Sequence, residues 1–225
     1  MVKINESIKI ENESRYYLPS REFNSLFELA IKIGLKFKGK FFETTVMYDN
    51  PNPEKSFYSK EIDGRLRLRT GFITYDDVKL HKSRLKEDYA KLSWKRRLPK
   101  SNSPIRQEEE IEVEFTPKYA ESMRAILENV LKAEVVSSYE RYRTIFEGNK
   151  IELAIDIFPY GVMVEIEAKN GGIIDDVIYW TKKMGFKISN SSLLSCDDKY
   201  VELCNKNSIL PKRHILFSDI EMPKI

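Results

Sequence analysis

The sequence predicts an α+β fold in which a mainly antiparallel β-barrel of eight strands encloses a polar lumen and helices pack outside. Three observations predict it. Eight segments alternate between apolar and polar residues or are rich in β-forming residues, which is typical of strands in a closed or nearly closed sheet. Charged residues of one sign follow one face of most of these segments. Amphipathic helical segments are present that can cover the apolar faces.

The predicted strands occupy the first three quarters of the chain: residues 7–18, 40–49, 64–70, 89–98, 105–115, 135–147, 150–158 and 161–169. Residues 50–63 are rich in Asn, Pro, Ser and charge and predict a loop, whereas residues 71–88 are highly charged and predict an insertion. Residues 206–225 show no clear period, so we expect a C-terminal tail after a single domain of residues 1–205.

Helical spacing of apolar residues predicts three amphipathic helices, over residues 20–33, 117–131 and 173–184. Gly34 follows the first helix in the position that often ends a helix. Thr116 is a candidate N-cap for the second helix, with Pro117 at its first position. A short further helix is expected around residues 198–205.

Composition excludes several classes of protein. The chain has 225 residues, with 38 Lys and Arg against 35 Asp and Glu, a formal net charge of +3. Nucleic-acid-binding proteins commonly carry a stronger basic bias, so no specific nucleic-acid partner is expected. No apolar run approaches the ~18 residues of a membrane helix. We therefore expect a cytoplasmic protein without a membrane partner.

The metal-ligating residue types restrict the kind of metal that could bind. The chain contains two cysteines, Cys196 and Cys204, and two histidines, and their spacing matches no zinc site. A bound metal must therefore rely mainly on carboxylates, which favours hard ions such as magnesium, manganese or calcium. The pairs Asp76–Asp77, Asp175–Asp176 and Asp197–Asp198 are expected in loops or helix starts and not at a metal.

The charged faces of the predicted strands sort by sign. Acidic residues alternate with apolar ones in four strands: Glu11 and Glu13; Glu108, Glu110, Glu112 and Glu114; Glu152 and Asp156; and Glu165 and Glu167. Basic residues do the same in other positions: Arg15; Arg65, Arg67 and Arg69; Lys95 and Arg97; and Arg141 and Arg143.

Two interpretations of these rows are open. A solvated outer face of a sandwich or barrel would leave the charges in water, but such faces usually mix Thr, Ser, Lys and Glu because neighbouring like charges repel. An inward-facing lumen would bring the acidic and basic rows together. Divalent cations would then neutralise the acidic rows and a polyanion the basic rows, and a metal-bound polyphosphate would satisfy both.

Seven blocks in order carry a family resemblance. They are Glu11-Asn12-Glu13-Ser14-Arg15, Phe42-Glu43-Thr44-Thr45-Val46-Met47-Tyr48-Asp49, Leu66-Arg67-Leu68-Arg69, Leu92-Ser93-Trp94-Lys95, Glu109-Glu110-Ile111-Glu112-Val113-Glu114, Tyr139-Glu140-Arg141-Tyr142-Arg143-Thr144 leading to Asp156, and Phe158-Pro159-Tyr160-Gly161 with Val164-Glu165-Ile166-Glu167. These blocks resemble the CYTH superfamily, the triphosphate tunnel metalloenzymes, which include class IV adenylyl cyclases and thiamine triphosphatases. The match covers roughly residues 8–204.

The resemblance implies a fold, a cofactor and roles for individual residues. It implies a triphosphate tunnel that binds Mg²⁺ or Mn²⁺. The residues that would hold the ions are Glu11, Glu13, Glu165 and Glu167, completed or supported by Asp156, Glu110 and Glu112. The residues that would clamp the triphosphate are Arg15, Arg67, Arg69, Lys95, Arg141 and Arg143.

The first block departs from the family pattern, because Arg15 stands where the family usually has lysine. Arginine keeps the charge but cannot accept a proton, so a lysine-based role in water activation would fall to Lys95. Arg15 and Lys95 are therefore the candidate catalytic residues.

Three functions are compatible with these residues. The first is a metal-dependent hydrolase of inorganic tripolyphosphate, nucleoside triphosphates such as ATP, or thiamine triphosphate. The second is an adenylyl cyclase that converts ATP to cyclic AMP and pyrophosphate. The third is a non-catalytic module that binds polyphosphate or nucleotide. Hydrolysis is favoured, because water needs no recognition site of its own. A homodimer is compatible with all three.

Overall fold

A computed structural model describes residues 9–74, 88–98, 103–219 and 221–225. The predicted fold is confirmed: eight antiparallel strands close into a barrel, and four helices lie outside it. The barrel strands are β1 (Lys9–Leu18), β2 (Lys36–Asp49), β3 (Gly64–Ile73), β4 (Tyr89–Arg97), β5 (Arg106–Phe115), β6 (Glu134–Gly148), β7 (Ile151–Phe158) and β8 (Gly161–Ala168).

The barrel closes between β2 and β6. The strand order is β2-β3-β4-β5-β1-β8-β7-β6, and the additional pairing of β6 with β2 completes the ring. Every neighbouring pair in this ring is antiparallel. A ninth short strand, β9 (His214–Ile215), pairs in parallel with β6. Closure leaves no free edge in the ring and forces successive side chains alternately into the lumen and onto the outside.

The helices are α1 (Phe23–Lys32), α2 (Ala120–Ala125), α3 (Ile174–Lys183) and α4 (Cys196–Lys206). The predicted helix over residues 117–131 is divided into a 3-10 turn, α2 and a π-helical turn at Ile126–Val130. The wide turn is closed by the amide of Leu131, which donates to the carbonyl of Ile126. None of the helices in these described ranges is both long and apolar enough to span a membrane.

Apolar side chains on the outside of the barrel form the main core. Leu26 and Ala30 of α1 and Val177 of α3 pack with the outward apolar residues of β7 and β8, among them Leu153 and Val164. A smaller cluster joins Leu127, in the π-helical turn, to outward residues of β2 and β3. Burial of these faces is the main favourable contribution to folding, and it leaves the inward faces free to be polar.

The fourth helix closes one end of the lumen. At that end the inward residues of β2, β6 and β8 become apolar, and Met47, Tyr139 and Met163 are buried under α4 in one cluster. The chain after α4 adds Ile215 and Met222 to the same cluster. Within residues 206–225, expected to be a tail, β9 pairs with β6 and the side chains of Ile215 and Met222 are buried. The lumen is a pocket with a floor at this end.

Two strands exceed their predicted bounds by three or more residues. β2 begins at Lys36, four residues before the predicted start, because it continues along β6 past a bulge beside Gly39. β3 continues through Ile73, so the segment expected as an insertion over residues 71–88 begins inside a strand. Residues 75–87 of that segment, with Asp76–Asp77, lie outside the described residues.

Candidate active site

The charged rows face inward. They line a cavity of about 350 Å³ to which all eight barrel strands contribute. The solvated-face interpretation is therefore wrong for these strands. The predicted site residues that line the cavity are Glu11, Arg15, Arg67, Arg69, Lys95, Glu110, Glu112, Arg141, Arg143, Glu165 and Glu167.

Two predicted residues, Glu13 and Asp156, lie behind the cavity wall. Both have no exposed surface. Asp156 accepts hydrogen bonds from Arg141 Nη1 at 2.8 Å and from Arg143 Nε at 2.9 Å. Glu13 accepts from Arg15 at 2.5 Å. Alternation predicts the side of the sheet that a side chain faces but not its depth, so the sequence could not separate these two residues from the cavity lining.

Ion pairs connect the basic side of the cavity into one network around the wall. Arg143 donates from Nη2 to Glu165 at 3.1 Å, and Glu165 also accepts from Arg15 at 2.7 Å. The network continues behind the wall from Glu13 to Arg106, which donates to Glu108 at 2.6 Å. Burial opposes ionisation of Glu165, but Arg15 and Arg143 hold its pKa well below the usual range.

The other side of the cavity is a cluster of carboxylates with two lysines. Lys95 donates to Glu11 and lies 3.2 Å from Glu110. Lys169 donates to Glu167 at 2.5 Å and lies 3.6 Å from Glu11. Burial and the contact with Glu11 raise the pKa of Glu110 to about 7. Burial and the charge of Glu11 also raise the pKa of Glu167 well above its usual value.

The donor atoms in this region fit a hard divalent cation. One carboxylate oxygen from each of Glu11, Glu13 and Glu108 lies within 4.8 Å of the other two. The second oxygen of Glu13 is buried without a hydrogen-bond partner. Burial raises the pKa of Glu13 to about 7. Carboxylates crowded enough to favour protonation gain most from a bound cation, and oxygen-only donors suit magnesium or manganese.

Arg67 differs from the other basic residues of the cavity. It is 8% exposed, and its Nε is buried without a hydrogen-bond partner. Among the described residues it forms no ion pair, whereas Arg15, Arg141 and Arg143 each contact two carboxylates. An unpaired buried cation is costly, so the position of Arg67 indicates a site for an anion.

Lys95 is protonated in this arrangement. Burial opposes its charge, but Glu11, Glu110 and Glu167 together raise its pKa well above the usual value. A lysine held in this way is a hydrogen-bond donor and a positive charge. It can accept a proton only if its carboxylate neighbours are first neutralised.

Glu112 lies at the open end of the cavity and not within its depth. Its carboxylate accepts from Lys91 at 3.0 Å. Glu114, further along β5, has a side chain that is 63% exposed and lies 3.5 Å from Lys91. The acidic row of β5 thus runs from the buried cluster to solvent.

Several residues at this site were not predicted as site residues. Glu43 and Tyr89 line the cavity, and Lys169 joins the acidic cluster. Lys169 and Arg106 could have been found, because each extends a charged row by one further step of two residues. Thr45 and Met47 separate Glu43 from Asp49, the next charged residue at the same alternation in β2, so no row identified Glu43.

The aspartate pairs have structural partners where the structure describes them. Asp197 and Asp198, in the first turn of α4, lie 3.5 and 3.7 Å from Arg65. Asp198 also accepts from Arg97. Asp176 caps α3 by accepting from the amide of Ile173 at 2.9 Å. The pair at 197–198 therefore attaches α4 to strands β3 and β4.

Comparison with solved structures shows barrels of the same kind. A Pyrococcus horikoshii protein matches with a TM-score of 0.61 over 85% of this chain and 98% of its own, at 19% identity. A candidate adenylate cyclase from Vibrio parahaemolyticus matches with a TM-score of 0.59 over 84% and 95%, at 14% identity. A candidate adenylyl cyclase from Hippeastrum with a dominant triphosphatase activity matches with a TM-score of 0.53 over 89% and 97%, at 15% identity.

No protein-family model matches the chain, and no curated protein matches its sequence. The similarity to these solved structures therefore concerns the fold. It agrees with the resemblance of the seven sequence blocks to the CYTH superfamily. The chain shares the barrel fold of these solved structures.

Proposed function

We propose that this chain is a divalent-metal-dependent enzyme that hydrolyses a phosphoanhydride bond of triphosphate substrates. One observation carries the proposal: a single cavity joins a wall of arginines to a cluster of carboxylates that fits a cation. Phosphoryl transfer needs both elements, because the phosphate oxygens carry negative charge in the substrate and in the transition state.

The basic residues would bind the triphosphate. Arg67 offers its guanidinium without competition from a carboxylate, and Arg69, Arg141 and Arg143 line the same cavity. Arg15, which donates a hydrogen bond to Glu165, would add positive charge to the same cavity. Charge-assisted hydrogen bonds from arginine are suited to phosphate oxygens, because the planar guanidinium can donate to two oxygens at once.

The acidic residues would hold the metal. Glu11, Glu110 and Glu167 face the cavity, and Glu13 and Glu108 stand close behind Glu11. Bound Mg²⁺ or Mn²⁺ would supply Lewis-acid polarisation of phosphate oxygens and neutralise their charge. Glu165 is already engaged by two arginines, so its proposed role combines support of the metal site with orientation of Arg15 and Arg143.

The proposed role of Lys95 is that of a hydrogen-bond donor and a positive charge. Its ammonium group stands between Glu11 and Glu110, at the edge between the acidic cluster and the cavity. From there it can stabilise negative charge that develops on the transferred or leaving phosphate. Its raised pKa favours this role over abstraction of a proton from water.

The adenylyl cyclase is a second candidate. The cavity has a floor under α4, so a nucleoside would have to lie at the open end. Phe41 and Tyr89 line the cavity and meet there edge to face, with ring centroids 5.9 Å apart, which is a surface on which a base could pack. The Hippeastrum protein is a candidate adenylyl cyclase with a dominant triphosphatase activity, so proteins of this fold can be considered for either reaction.

Product analysis tests the proposal. Purified protein is incubated with Mg²⁺ or Mn²⁺ and tripolyphosphate, ATP, GTP or thiamine triphosphate, and phosphate and cyclic nucleotide are measured in parallel. We expect phosphate release that stops when EDTA removes the metal. Cyclic AMP as the main product would identify the cyclase instead. Tight binding of tripolyphosphate without any turnover would identify a binding module.

A further inference from the structure

Glu43 connects three side chains on the basic side of the cavity. It is 3% exposed, at the middle of β2. Its Oε2 accepts from Nε of Arg141 and lies 3.6 Å from Nε of Arg69. Its Oε1 accepts from the hydroxyl of Tyr89. The two arginines come from β6 and β3, the two strands that flank β2 in the barrel.

Glu43 and Asp156 hold Arg141 from two sides. Asp156 accepts from Nη1 at 2.8 Å while Glu43 accepts from Nε. The remaining nitrogen, Nη2, is buried without a hydrogen-bond partner. The guanidinium is thus fixed in its plane by two carboxylates, and one donor group is left over beside the cavity that Arg141 lines.

Arg69 is fixed in a similar way. Its Nε donates to the hydroxyl of Thr45 at 3.2 Å and faces Glu43. Thr45 is on the same face of β2 as Glu43, two residues further along, and is fully buried. One strand therefore presents two acceptors that set how far apart the guanidinium groups of Arg69 and Arg141 stand.

We infer that Glu43 is a positioning residue that determines specificity for the length of the phosphate chain, by fixing the spacing between Arg69 and Arg141. This inference rests on the proposed function, because it assumes that a triphosphate occupies the cavity. Arginines held at a fixed spacing match a chain of one length, whereas arginines free to move adapt to shorter chains at little cost. Glu43 has no place in the acidic cluster, since its partners are arginines and a tyrosine.

The test compares the affinities for pyrophosphate and tripolyphosphate, measured by calorimetry in EDTA so that no metal or turnover is involved. We expect the wild-type protein to prefer tripolyphosphate. In Glu43→Gln, which keeps the volume and removes the charge, we expect this preference to fall by about tenfold, the value of one charge-assisted contact. A merely structural role would lower stability and leave the ratio of the two affinities unchanged.

Two further variants keep the test decisive if Glu43→Gln does not fold. Glu43→Asp retains the charge at a shorter reach. Its preference for tripolyphosphate should fall less than tenfold below that of the wild-type protein, and it should exceed the preference of Glu43→Gln where that variant folds. Tyr89→Phe removes only the hydroxyl that contacts Glu43 and should lose a few-fold of the preference. Glu147→Gln makes the same chemical change at an exposed carboxylate of β6 and is the matched control.

The outcomes separate this inference from the proposed function. A wild-type protein that prefers tripolyphosphate but hydrolyses nothing contradicts the hydrolase and leaves the Glu43 inference standing. An unchanged preference in folded Glu43→Gln, or in both Glu43→Asp and Tyr89→Phe, overturns the inference alone. A wild-type protein that binds neither anion overturns both.

Discussion

Arg143 donates from Nε to Asp156 over 2.9 Å, although Asp156 has no exposed surface and stands behind the cavity wall. The second oxygen of Asp156 accepts from Arg141. One carboxylate therefore orients two arginines that face the lumen. Apolar residues of similar volume often support a fold as well as buried ion pairs do. The burial of these charges therefore supports the proposal that they serve phosphate binding.

The position of Asp156 predicts a large cost when its charge is removed. Asp156→Asn keeps the volume but leaves two buried guanidinium groups short of an anion, so we expect the free energy of unfolding to fall by about 3–5 kcal/mol. Urea titration measures it. Glu147→Gln removes an exposed carboxylate that pairs with Lys38, and it should produce no measurable change. Unchanged stability of Asp156→Asn would show that the pairs are not formed in solution.

The sequence predicted the inward residues well, because alternation in a closed barrel decides the face of every side chain. Rows such as Glu165–Glu167 and Arg141–Arg143 needed only this period and the presence of helices outside. Depth was not predictable. Glu13 and Glu167 are direct partners across β1 and β8, yet Glu13 lies behind the wall, in contact with Arg15 and Arg106, while Glu167 lines the cavity.

Site residues that do not belong to a row of alternating charges could not be predicted either. Glu43 is the one charge in residues 41–48 of β2, which are otherwise apolar or hydroxyl-bearing, and its partners Arg141 and Tyr89 are distant in sequence. Closure of β2 onto β6 brings Glu43 opposite Arg141 in register, and only the strand order provides that information. The closed end of the lumen was not predictable for the same reason. It forms where α4 packs on Met47, Tyr139 and Met163, which come from three different strands.

The acidic cluster predicts a strict dependence on a divalent metal. Glu167→Gln should weaken Mn²⁺ binding about 10–100-fold and lower turnover by orders of magnitude, because the metal supplies several kcal/mol of transition-state stabilisation. Glu165→Gln should also lower turnover, through Arg15 and Arg143 as well as through the metal. Calorimetry with Mn²⁺ and turnover at saturating Mn²⁺ are the measurements.

Glu114→Gln is the control for these two variants, because its carboxylate is exposed at the far end of β5. It should leave Mn²⁺ affinity and turnover close to those of the wild-type protein. Near-normal turnover in both Glu165→Gln and Glu167→Gln would show that the metal assignment is wrong.

The attachment of α4 to strands β3 and β4 predicts a dependence of stability on pH. Burial alone would raise the pKa of Asp198, but hydrogen bonds with Ser195 and Arg97 lower it to about 2. The pKa of an unfolded aspartate is ~3.9. Because the folded value is the lower one, ionised Asp198 stabilises the fold above about pH 4, and this contribution is lost as the pH falls towards about 2.

Asp198→Asn tests this dependence. At pH 7 we expect the variant to be less stable by about 1 kcal/mol, since 31% of the side chain is exposed and solvent screens the pair. At pH 3 the difference from the wild-type protein should be smaller. Urea titrations of both proteins at the two pH values measure it. A difference that is equal at pH 7 and pH 3 would mean that the charge of Asp198 contributes nothing.

Replacement of Arg67 is expected to weaken anion binding without lowering the stability of the protein. Because no described residue forms an ion pair with it, Arg67→Met removes a buried charge without breaking an ion pair, while keeping a long side chain. We expect the substrate-free protein to be as stable as the wild-type protein or more stable. Binding of tripolyphosphate should weaken about 10–100-fold, the value of a hydrogen bond to a charged group.

Arg143→Ala provides the contrast, because Arg143 is paired with both Asp156 and Glu165. Its removal should weaken tripolyphosphate binding and also lower stability, since it leaves two buried carboxylates with fewer partners. Turnover of the preferred substrate should show a raised KM and a lowered kcat, because the guanidinium also serves the transition state. Calorimetry with tripolyphosphate in EDTA and urea unfolding without ligand separate the two residues. If Arg67→Met loses stability as Arg143→Ala does, Arg67 has a structural partner in solution and is not held ready for an anion.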